Sequence, residues 1–480
     1  MDYYLAIDLG TTGCRSIVFD DSVCMQGSAY EEYGLITPKE CWVEQDAELW
    51  WTLTLRTAKK AIQQANIDPA KIRSICVSSQ GITVVPVDAE LKPLCNAISW
   101  LDTRAESQAN RLKKDCCEKE MFLRTGKFIN SCYTLPKLMW LQERRPRLFE
   151  DARWFLMPMD YLVGKFTGIC ITDHSMASGT LMYDIQNCCW SQETLEKYHI
   201  PTEKLPPIVW SGEPVGKVLP LVAEELGLSS ECVVAAGAQD QKCAAQGVGL
   251  QEGILTVSLG TAGAITKLWT ELTTYACDKV GWCGYTQPGA WVTEGVINTA
   301  GTCLRWVREM LFQGEDYATI DSEAQTAKER GSNLLFYPYL NGPSSPSYYP
   351  DAEGTFYGVN LMTQRGDFAL AVMEGVAFQI RILLEAMDAY DNAEGLILFG
   401  GAAKSPLWCQ IIADIAGLEI RVPSTAEAAG AGAAMLAAKA TGKVIKPLAC
   451  TKTYMPNDRT NYEIKYKKYR SIEAKLWNKG

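Results

Sequence analysis

Short blocks of apolar residues, bounded by glycine and polar turns, fill the first half of the chain and predict strands. These predicted strands lie at 4–8, 16–19, 24–30, 72–78, 83–87 and 232–238. The apolar spacing becomes helical at 47–65, where Asp46 is the predicted N-cap, and again at 135–143 and 154–166. Gly168 is in position to end the last of these helices.

The second half of the chain repeats a strand–turn–strand plan at 254–267. It continues with a predicted strand at 395–399, a helix at 405–416 and a strand at 419–422. A helix between two strands is typical of a parallel β-α-β unit. The proline-rich segment 201–218 is interpreted as an extended crossing.

A glycine-threonine turn follows the first predicted strand of each half. One runs Gly10-Thr11-Thr12-Gly13 and the other Gly260-Thr261-Ala262-Gly263. Such turns aim backbone N–H groups and hydroxyls at a phosphate, although a single one is also common in ordinary hairpins. The pair predicts an α/β protein of two similar lobes, residues 1–243 and 244–480, that grip one nucleotide between them.

Composition narrows the classes of protein that fit. The chain has 480 residues, of which 47% are apolar and 21% charged, so it is long enough for two folded domains. The formal net charge of −10 gives no support to nucleic-acid binding through a basic surface. The first residues carry no basic leader, and the apolar run 428–438 is too short to span a bilayer. A cytoplasmic protein without membrane contact is therefore expected.

The cysteines and histidines limit the chemistry. Eighteen cysteines are scattered without any C-x-x-C spacing, and the two histidines are His174 and His199. This favours reduced thiols over a zinc site. With so few histidines, acid–base chemistry is expected to fall to a carboxylate.

Asp8 and Arg15 flank the first turn. The chain has no G-x-x-x-x-G-K-[ST] sequence, so a nucleotide must be bound by other means. A carboxylate at the end of a strand, such as Asp8, can hold Mg²⁺ next to a phosphate, but it could also cap a hairpin. Arg15 could reach a phosphate or be an ordinary surface residue of the returning strand.

Two further loops carry candidate chemistry. Asp240 lies in a loop of small residues, which suits a base that approaches a substrate hydroxyl; it could equally cap the alanine-rich helix that follows. The segment Gly400-Gly401-Ala402 between a strand and a helix lets the backbone approach a flat ligand, or simply turns the chain.

In the order of these motifs the chain resembles the FGGY family of carbohydrate kinases, within the actin-like ATPase superfamily. The resemblance extends from Tyr4 to about Gly442. The most specific part is Gly354-x-Phe356-x-Gly358-Val359 followed by 367–374. Similar family segments lie at 42–51, 137–141 and 172–178. The resemblance implies two actin-like (ribonuclease H-like) lobes with a cleft for ATP and a sugar.

The same resemblance implies roles for individual residues. Asp240 is expected to be the general base and Asp8 a contact of Mg²⁺. The ATP phosphates are expected to meet Gly10, Thr11, Thr12, Arg15, Gly260 and Thr261, and the adenosine Gly400, Gly401 and Ala402. The sugar hydroxyls are expected to meet Gln80, Thr83, Trp100, Asp102, Arg104 and Gln241. Some of these residues could instead only shape the cleft.

The sequence indicates the substrate less clearly than it indicates the reaction. After the glutamine that matches Gln80, glycerol kinases have Arg-Glu and xylulokinases Met-His, whereas this chain has Gly81-Ile82. The missing Arg-Glu pair argues against glycerol. A pentulose such as xylulose is expected, with another polyol, another ketose or gluconate as the alternative.

Two readings outside the kinases stay open. One is an actin-like nucleotide switch or ATPase without a sugar substrate; the other is a catalytically silent sugar-binding protein. Loops with the polar residues Gln80, Asp102 and Arg104, together with Asp240, favour a small-molecule cleft. A homodimer is the default expectation for a soluble enzyme.

Overall fold

A computed structural model describes residues 2–273, 277–343, 345–346, 349 and 351–477. The strands of the first half are β1 (Tyr3–Leu9), β2 (Gly13–Asp20), β3 (Met25–Glu32), β4 (Glu44–Gln45), β5 (Ile72–Ser79), β6 (Val85–Val87), β7 (Ala97–Ile98), β8 (Trp154–Leu156), β9 (Thr172–Asp173), β10 (Tyr183–Asp184), β11 (Cys189–Trp190), β12 (Ile208–Val209), β13 (Pro214–Lys217) and β14 (Val233–Gln239). Those of the second half are β15 (Ile254–Leu259), β16 (Gly263–Trp269), β17 (Gly281–Gly284), β18 (Trp291–Ile297), β19 (Leu335–Tyr337), β20 (Thr355–Tyr357), β21 (Gly395–Phe399), β22 (Glu419–Pro423) and β23 (Cys450–Tyr454).

Helices surround these strands. In the first half they are α1 (Ala47–Ala65), α2 (Glu106–Asp115), α3 (Glu118–Thr125), α4 (Thr134–Arg144), α5 (Pro146–Asp151), α6 (Pro158–Thr167), α7 (His174–Ala177), α8 (Gln192–Lys197) and α9 (Pro220–Leu226). They continue with α10 (Asp240–Val248), α11 (Gly301–Leu311), α12 (Tyr317–Glu329), α13 (Arg365–Ala386), α14 (Pro406–Ala416), α15 (Ala428–Ala440) and α16 (Arg459–Trp477). Among the described residues, no helix is both long enough and apolar enough to cross a membrane.

The two main sheets have the same plan. The first has the strand order β13-β14-β5-β1-β2-β3, and the second has the order β17-β18-β16-β15-β21-β22-β23. In each, an antiparallel hairpin (β1–β2 or β15–β16) continues into a third antiparallel strand on one side. Parallel strands (β5 and β14, or β21 and β22) lie on the other side. The predicted architecture of two similar α/β lobes is confirmed, while the boundary at residue 243 stays a prediction.

Local sequence accounts for most helix limits. The predicted helix Ala47–Ala65 is confirmed, and Asp46 caps it by accepting hydrogen bonds from the backbone N of Glu48 (2.9 Å) and Leu49 (3.3 Å). The predicted helix at 154–166 is partly wrong, because Trp154–Leu156 forms a strand that pairs with β6. Proline disfavours a helical residue before it, so α6 begins only at Pro158.

The helix pair α10 and α15 joins the halves of the chain. α15 comes from the second half but packs on the first sheet, where its alanines contact Tyr4, Ala6 and Phe19. α10 packs on α15 with almost no side chain between them. A Cβ at Gly432 would lie 1.8 Å from the carbonyl oxygen of Cys243, and a Cβ at Gly247 would lie 2.1 Å from that of Ala428. The two backbones can therefore approach this closely only with glycine at these positions.

This contact predicts a large cost for one added methyl group. Gly432→Ala is expected to lower the free energy of unfolding by at least about 2 kcal/mol, because the helices must separate to admit the Cβ. Thermal and urea denaturation measure the loss. The matched control is Gly34→Ala, whose Cβ meets no atom within 4 Å. Equal stability of the two variants would contradict the close packing of α10 on α15.

Candidate active site

A cavity of about 400 Å³ opens between the two halves of the chain. Its wall includes five of the predicted site residues, which are Thr11, Gln80, Trp100, Asp240 and Gln241. Ser258 of β15 and Ala262 and Gly263 of the second glycine-threonine turn line it from the other side. Residues from both halves thus line one open cavity.

Asp240 is the first residue of α10, directly after β14, and Gln239 rather than Asp240 is the N-cap. Its Oδ1 accepts hydrogen bonds from the backbone N of Gln241 (2.7 Å) and from Nε2 of Gln239. Its Oδ2 has no hydrogen-bond partner in the described part of the chain. Burial raises the pKa of Asp240 to about 7, and the charge of Asp8 adds to the rise. A carboxylate with one free oxygen and a pKa near neutrality can accept a proton.

Asp8 lies near the end of β1, opposite Arg15 on β2 and Ser78 on β5. The hydroxyl of Ser78 donates a hydrogen bond of 3.2 Å to its Oδ1. Burial raises the pKa of Asp8 to about 6; the Ser78 hydrogen bond opposes the rise and the charge of Glu427 adds to it. The buried carboxyl of Asp8 is costly to ionise, and the carboxyl of Asp240 is near enough for the two charges to repel each other. A divalent cation, which prefers oxygen ligands, would offset this cost, so Asp8 fits such a cation.

The first turn is tied to the neighbouring loops. The backbone N of Gly10 donates to the oxygen of Gly13 (2.9 Å). The indole Nε1 of Trp100 donates to Oγ1 of Thr11 (3.0 Å), and the backbone oxygen of Thr12 accepts from Tyr33 N (2.9 Å). The predicted phosphate turn and the predicted sugar site are therefore in direct contact through Thr11 and Trp100.

Arg15 is partly engaged within the protein. Its Nη1 lies 3.0 Å from Oε1 of Glu427, the residue before α15, and its guanidinium lies 4.9 Å from the ring centroid of Tyr30. A phosphate contact by Arg15 stays a prediction, since it must compete with this ion pair.

The second turn is in contact with the predicted adenosine loop. Gly260 and Thr261 accept hydrogen bonds of 2.9 and 3.0 Å from Gly301 N and Ala300 N. Gly400 has φ of 94°, and a Cβ there would lie 2.5 Å from the oxygen of Leu259. Gly401 begins a short 3₁₀ helix, and the side chain of Ala402 is buried in the core of the second half. Ala402 can therefore offer a ligand only its backbone.

The predicted sugar residues divide into two groups. Gln80, Trp100 and Gln241 line the cavity, whereas Thr83, Asp102 and Arg104 do not. Thr83 supports two of the lining residues through its hydroxyl. Its Oγ1 accepts a hydrogen bond from Trp100 N (3.1 Å) and donates one to Oε1 of Gln80 (3.4 Å).

Asp102 and Arg104 bind each other rather than facing the cavity. Nη2 of Arg104 lies 2.7 Å from Oδ2 of Asp102 and 2.8 Å from Oε1 of Glu44. The guanidinium of Arg104 also lies 3.7 Å from the ring centroid of Trp42. Their contact with substrate stays a prediction; the contacts in the structure hold the loop that carries Trp100.

Ile82 lines the cavity with a strained backbone. Its φ is 54°, which is unfavourable for a β-branched residue. Its carbonyl oxygen accepts a hydrogen bond of 3.1 Å from Nζ of Lys137, a buried lysine whose pKa burial lowers to about 7. A Cβ at Gly179 would lie 2.3 Å from Cγ2 of Ile82, so Gly179 makes room for this conformation. Such strain is typical of functional sites.

His174 is structural. It is buried, its Nδ1 is 2.8 Å from the hydroxyl of Tyr183, and its ring stacks on Trp210 with centroids 3.6 Å apart. Burial lowers the pKa of His174 to about 4, so it is neutral at physiological pH. This agrees with a carboxylate as the acid–base group.

The cavity residues that sequence reasoning missed include three charged side chains and a thiol, namely those of Lys127, Lys242, Glu294 and Cys283. Nζ of Lys242 lies 2.9 Å from Oε2 of Glu294, and Nζ of Lys127 donates to Sγ of Cys283 at 2.8 Å. The available signal was Lys242 itself, a cation in an otherwise small and apolar stretch directly after Asp240-Gln241.

Comparison with known families assigns the chain. The family model described as "FGGY family of carbohydrate kinases, N-terminal domain" matches residues 3–247, and that of the C-terminal domain matches residues 255–441. The chain belongs to the FGGY family of carbohydrate kinases. It is therefore a sugar kinase, and the family resemblance stated from the sequence is confirmed.

Individual relatives of this FGGY kinase cover nearly its whole length. A xylulose kinase from Lactococcus lactis is 31% identical over 95% of this chain and 91% of the relative. The crystal structure of a xyloylose kinase from Brucella ovis has a TM-score of 0.91 and 28% identity over 99% of both chains. That of a gluconate kinase from Lactobacillus acidophilus has a TM-score of 0.91 and 26% identity over 99% of this chain and 98% of that one. These similarities confirm the actin-like fold class.

The C-terminal signature of this FGGY kinase supports the fold around the site. Phe356 lies on β20 and packs on Phe336 and Phe368. Asp367 accepts a hydrogen bond of 2.7 Å from Gln364 N at the start of α13, and Glu374 pairs with Lys465 of α16. None of these residues lines the cavity.

The raised pKa of Asp240 predicts a stability effect with a definite sign. Above a pH of about 7 the folded protein must ionise a buried carboxyl, which the unfolded chain ionises at much lower pH. Asp240→Asn is therefore expected to raise Tm at pH 8 by about 2 °C or more, and by less at pH 5. Calorimetry at both values measures the difference. The exposed Asp151→Asn serves as control, and an equal shift at pH 5 and pH 8 for Asp240→Asn would contradict the raised pKa.

Proposed function

We propose that the protein transfers the γ-phosphoryl group of ATP to a hydroxyl of a pentulose such as xylulose, with Asp240 as the general base. The observation that carries this proposal is the free Oδ2 of Asp240 in a cavity flanked by both glycine-threonine turns. A sugar in the cavity can present a hydroxyl to this oxygen while ATP lies along the turns.

Phosphoryl transfer requires mainly that the sugar hydroxyl be aligned with the γ-phosphorus and that the negative charge of the phosphates be neutralised. The sugar hydroxyl oxygen forms a bond to the γ-phosphorus as its proton passes to Oδ2 of Asp240. The bond from the γ-phosphorus to the bridging oxygen breaks, and ADP leaves with that electron pair. The pKa of Asp240 near 7 suits a base that must be ionised before transfer and hold the proton after it.

The backbone and hydroxyl donors of Gly10, Thr11, Thr12, Gly260 and Thr261 are proposed to hold the phosphates. The contact of Gly400 with Leu259 supports an adenosine site beside the second turn, at Gly400, Gly401 and Ala402. Closure of the two lobes around the substrates would limit the access of water to the γ-phosphate and so reduce futile hydrolysis.

Kinases of this kind work with ATP and a divalent metal, and we propose Mg²⁺ held at Asp8. The metal supplies neutralisation of phosphate charge when bound. Asp8 contributes an oxygen ligand, directly or through water, and its position near the first turn supports this role.

The substrate proposal rests on the relatives named above, among which xylulose kinases recur. Glycerol kinases have an Arg-Glu pair at the position of Gly81-Ile82, whereas Gly81 and Ile82 have no side-chain hydrogen-bond donors. This difference disfavours glycerol as the substrate. Gluconate is the second candidate, because a gluconate kinase is equally similar in structure. A cytoplasmic location is also proposed, since all eighteen cysteines are unpaired. A homodimer stays the default expectation.

The first test is ADP release with Mg·ATP across pentuloses, hexuloses, polyols and aldonates. Activation by a pentulose is expected, and Asp240→Asn is expected to lower kcat at least about 100-fold with KM for ATP nearly unchanged. Sugar-independent ADP release would favour the nucleotide switch instead. Near-normal turnover of Asp240→Asn would remove Asp240 from the role of base.

A second test concerns the metal. Asp8→Asn is expected to raise the Mg²⁺ concentration for half-maximal activity by about tenfold or more, because a charged oxygen ligand is lost. Titration of activity with MgCl₂ at fixed ATP measures this, with Asp151→Asn as the control. An unchanged requirement would exclude Asp8 from the metal site.

A further inference from the structure

A charged wall beside Asp240 has no part in the transfer described above. This charged wall consists of Lys127, Lys242, Cys283 and Glu294, all of which line the cavity. Lys127 follows α3 in the first half, while Cys283 and Glu294 lie on β17 and β18 of the second. The charged wall therefore spans both halves of the molecule.

Lys127 has an ammonium group with too few acceptors. The residue is only 7% exposed, and the hydrogen-bond acceptor of its Nζ among the described residues is Sγ of Cys283. An ammonium has three donors and a thiol is a weak acceptor. Because an unsatisfied buried cation is costly, an oxygen acceptor is required on the cavity side of Lys127.

Glu294 has a carboxylate oxygen that lacks a hydrogen-bond donor among the described residues. Its Oε2 accepts from Lys242, but its Oε1 is buried without any hydrogen-bond partner in the described structure. Burial would raise the pKa of Glu294, yet the charges of Lys242 and Lys127 hold it below its usual value. Glu294 is thus an ionised acceptor in need of a donor, which a sugar hydroxyl provides.

The charged residues that line the cavity balance one another without a charged substrate. They are the ammoniums of Lys127 and Lys242 and the carboxylates of Glu294 and, in its ionised form, Asp240. A neutral sugar keeps this balance, whereas a sugar acid would add a negative charge next to the ATP phosphates. The charged wall therefore favours a neutral polyhydroxylated substrate over an aldonate.

We propose that Lys127 and Glu294 determine sugar specificity, with Lys127 donating to one substrate oxygen and Glu294 accepting from a neighbouring hydroxyl. Both contacts are made to oxygens other than the one phosphorylated at Asp240. Lys242 is a positioning residue that holds Glu294 through its ion pair. This inference rests on the proposed function, since it specifies how the same cavity recognises its sugar.

The experiment combines protein variants with altered sugars. The values of kcat/KM are measured for the accepted ketose and each of its monodeoxy analogues, in the unsubstituted protein, Lys127→Met and Glu294→Gln. The unsubstituted protein is expected to disfavour the analogue that lacks the Lys127-bound oxygen by about 10- to 100-fold. In Lys127→Met the ratio of kcat/KM for the ketose to kcat/KM for this analogue is expected to fall to about threefold or less, with KM for ATP unchanged.

The matched control is Lys267→Met, at a buried lysine of the second half. Its Nζ donates to the backbone oxygens of Met387 (3.1 Å) and Asp388 (3.0 Å), away from the cavity wall. This variant is expected to lose stability but keep every ratio between ketose and analogue. The rise in Tm on adding sugar without ATP gives a second readout, which is expected to shrink in Lys127→Met and Glu294→Gln but not in Lys267→Met. Lys127→Gln replaces Lys127→Met if the latter does not fold.

The outcomes separate the two proposals. Loss of kcat/KM by the same factor for ketose and analogues in Lys127→Met and Glu294→Gln would overturn the specificity role. A preference of the unsubstituted protein for aldonates over neutral sugars would overturn the charge argument. Absence of any sugar-stimulated ADP release by the unsubstituted protein would refute the proposed function itself.

Discussion

Backbone atoms of α10 and α15 lie in direct contact, since Gly247 and Gly432 leave no side chain between the two helices. Asp240 is the first residue of α10, and Glu427, which pairs with Arg15 of β2 next to the first turn, immediately precedes α15. Asp240 directly follows β14 of the first sheet, and the contact of α10 with α15 is a second constraint on the position of this candidate base. The position of its carboxylate thus depends in part on Gly247 and Gly432, which carry no reactive group.

Neighbouring charges give the two cavity carboxylates opposite characters. Burial and the nearby Asp8 raise the pKa of Asp240 to about 7, whereas Lys242 and Lys127 keep the pKa of Glu294 low despite its burial. The first carboxylate can take up and release a proton near neutral pH, while the second stays an ionised acceptor. Similar side chains in one cavity can therefore serve chemistry and recognition separately.

Much of the fold was predictable from local sequence. The strand–turn–strand plan of each half and the cap at Asp46 depend on neighbouring residues, and both were found. The helix predicted at 154–166 was partly wrong. The apolar residues there have helical spacing, but Pro158 disfavours a helical conformation of the residue before it, so the helix begins only at Pro158. The charged wall was missed for a different reason: Lys127 and Glu294 are far apart in the chain and meet only where the two halves touch. Such a contact leaves no trace in local periodicity.

The left-handed backbone of Ile82 limits which residues suit this position of the cavity wall. The conformation is held from outside the residue, by the hydrogen bond from Lys137 and by the space at Gly179. A residue at position 82 that keeps this hydrogen bond must adopt the left-handed backbone, and the conformational cost of doing so is lowest for glycine and asparagine and high for a β-branched residue such as isoleucine. The main chain alone therefore narrows the residues suited to this position of the cavity wall, whatever molecule the cavity binds.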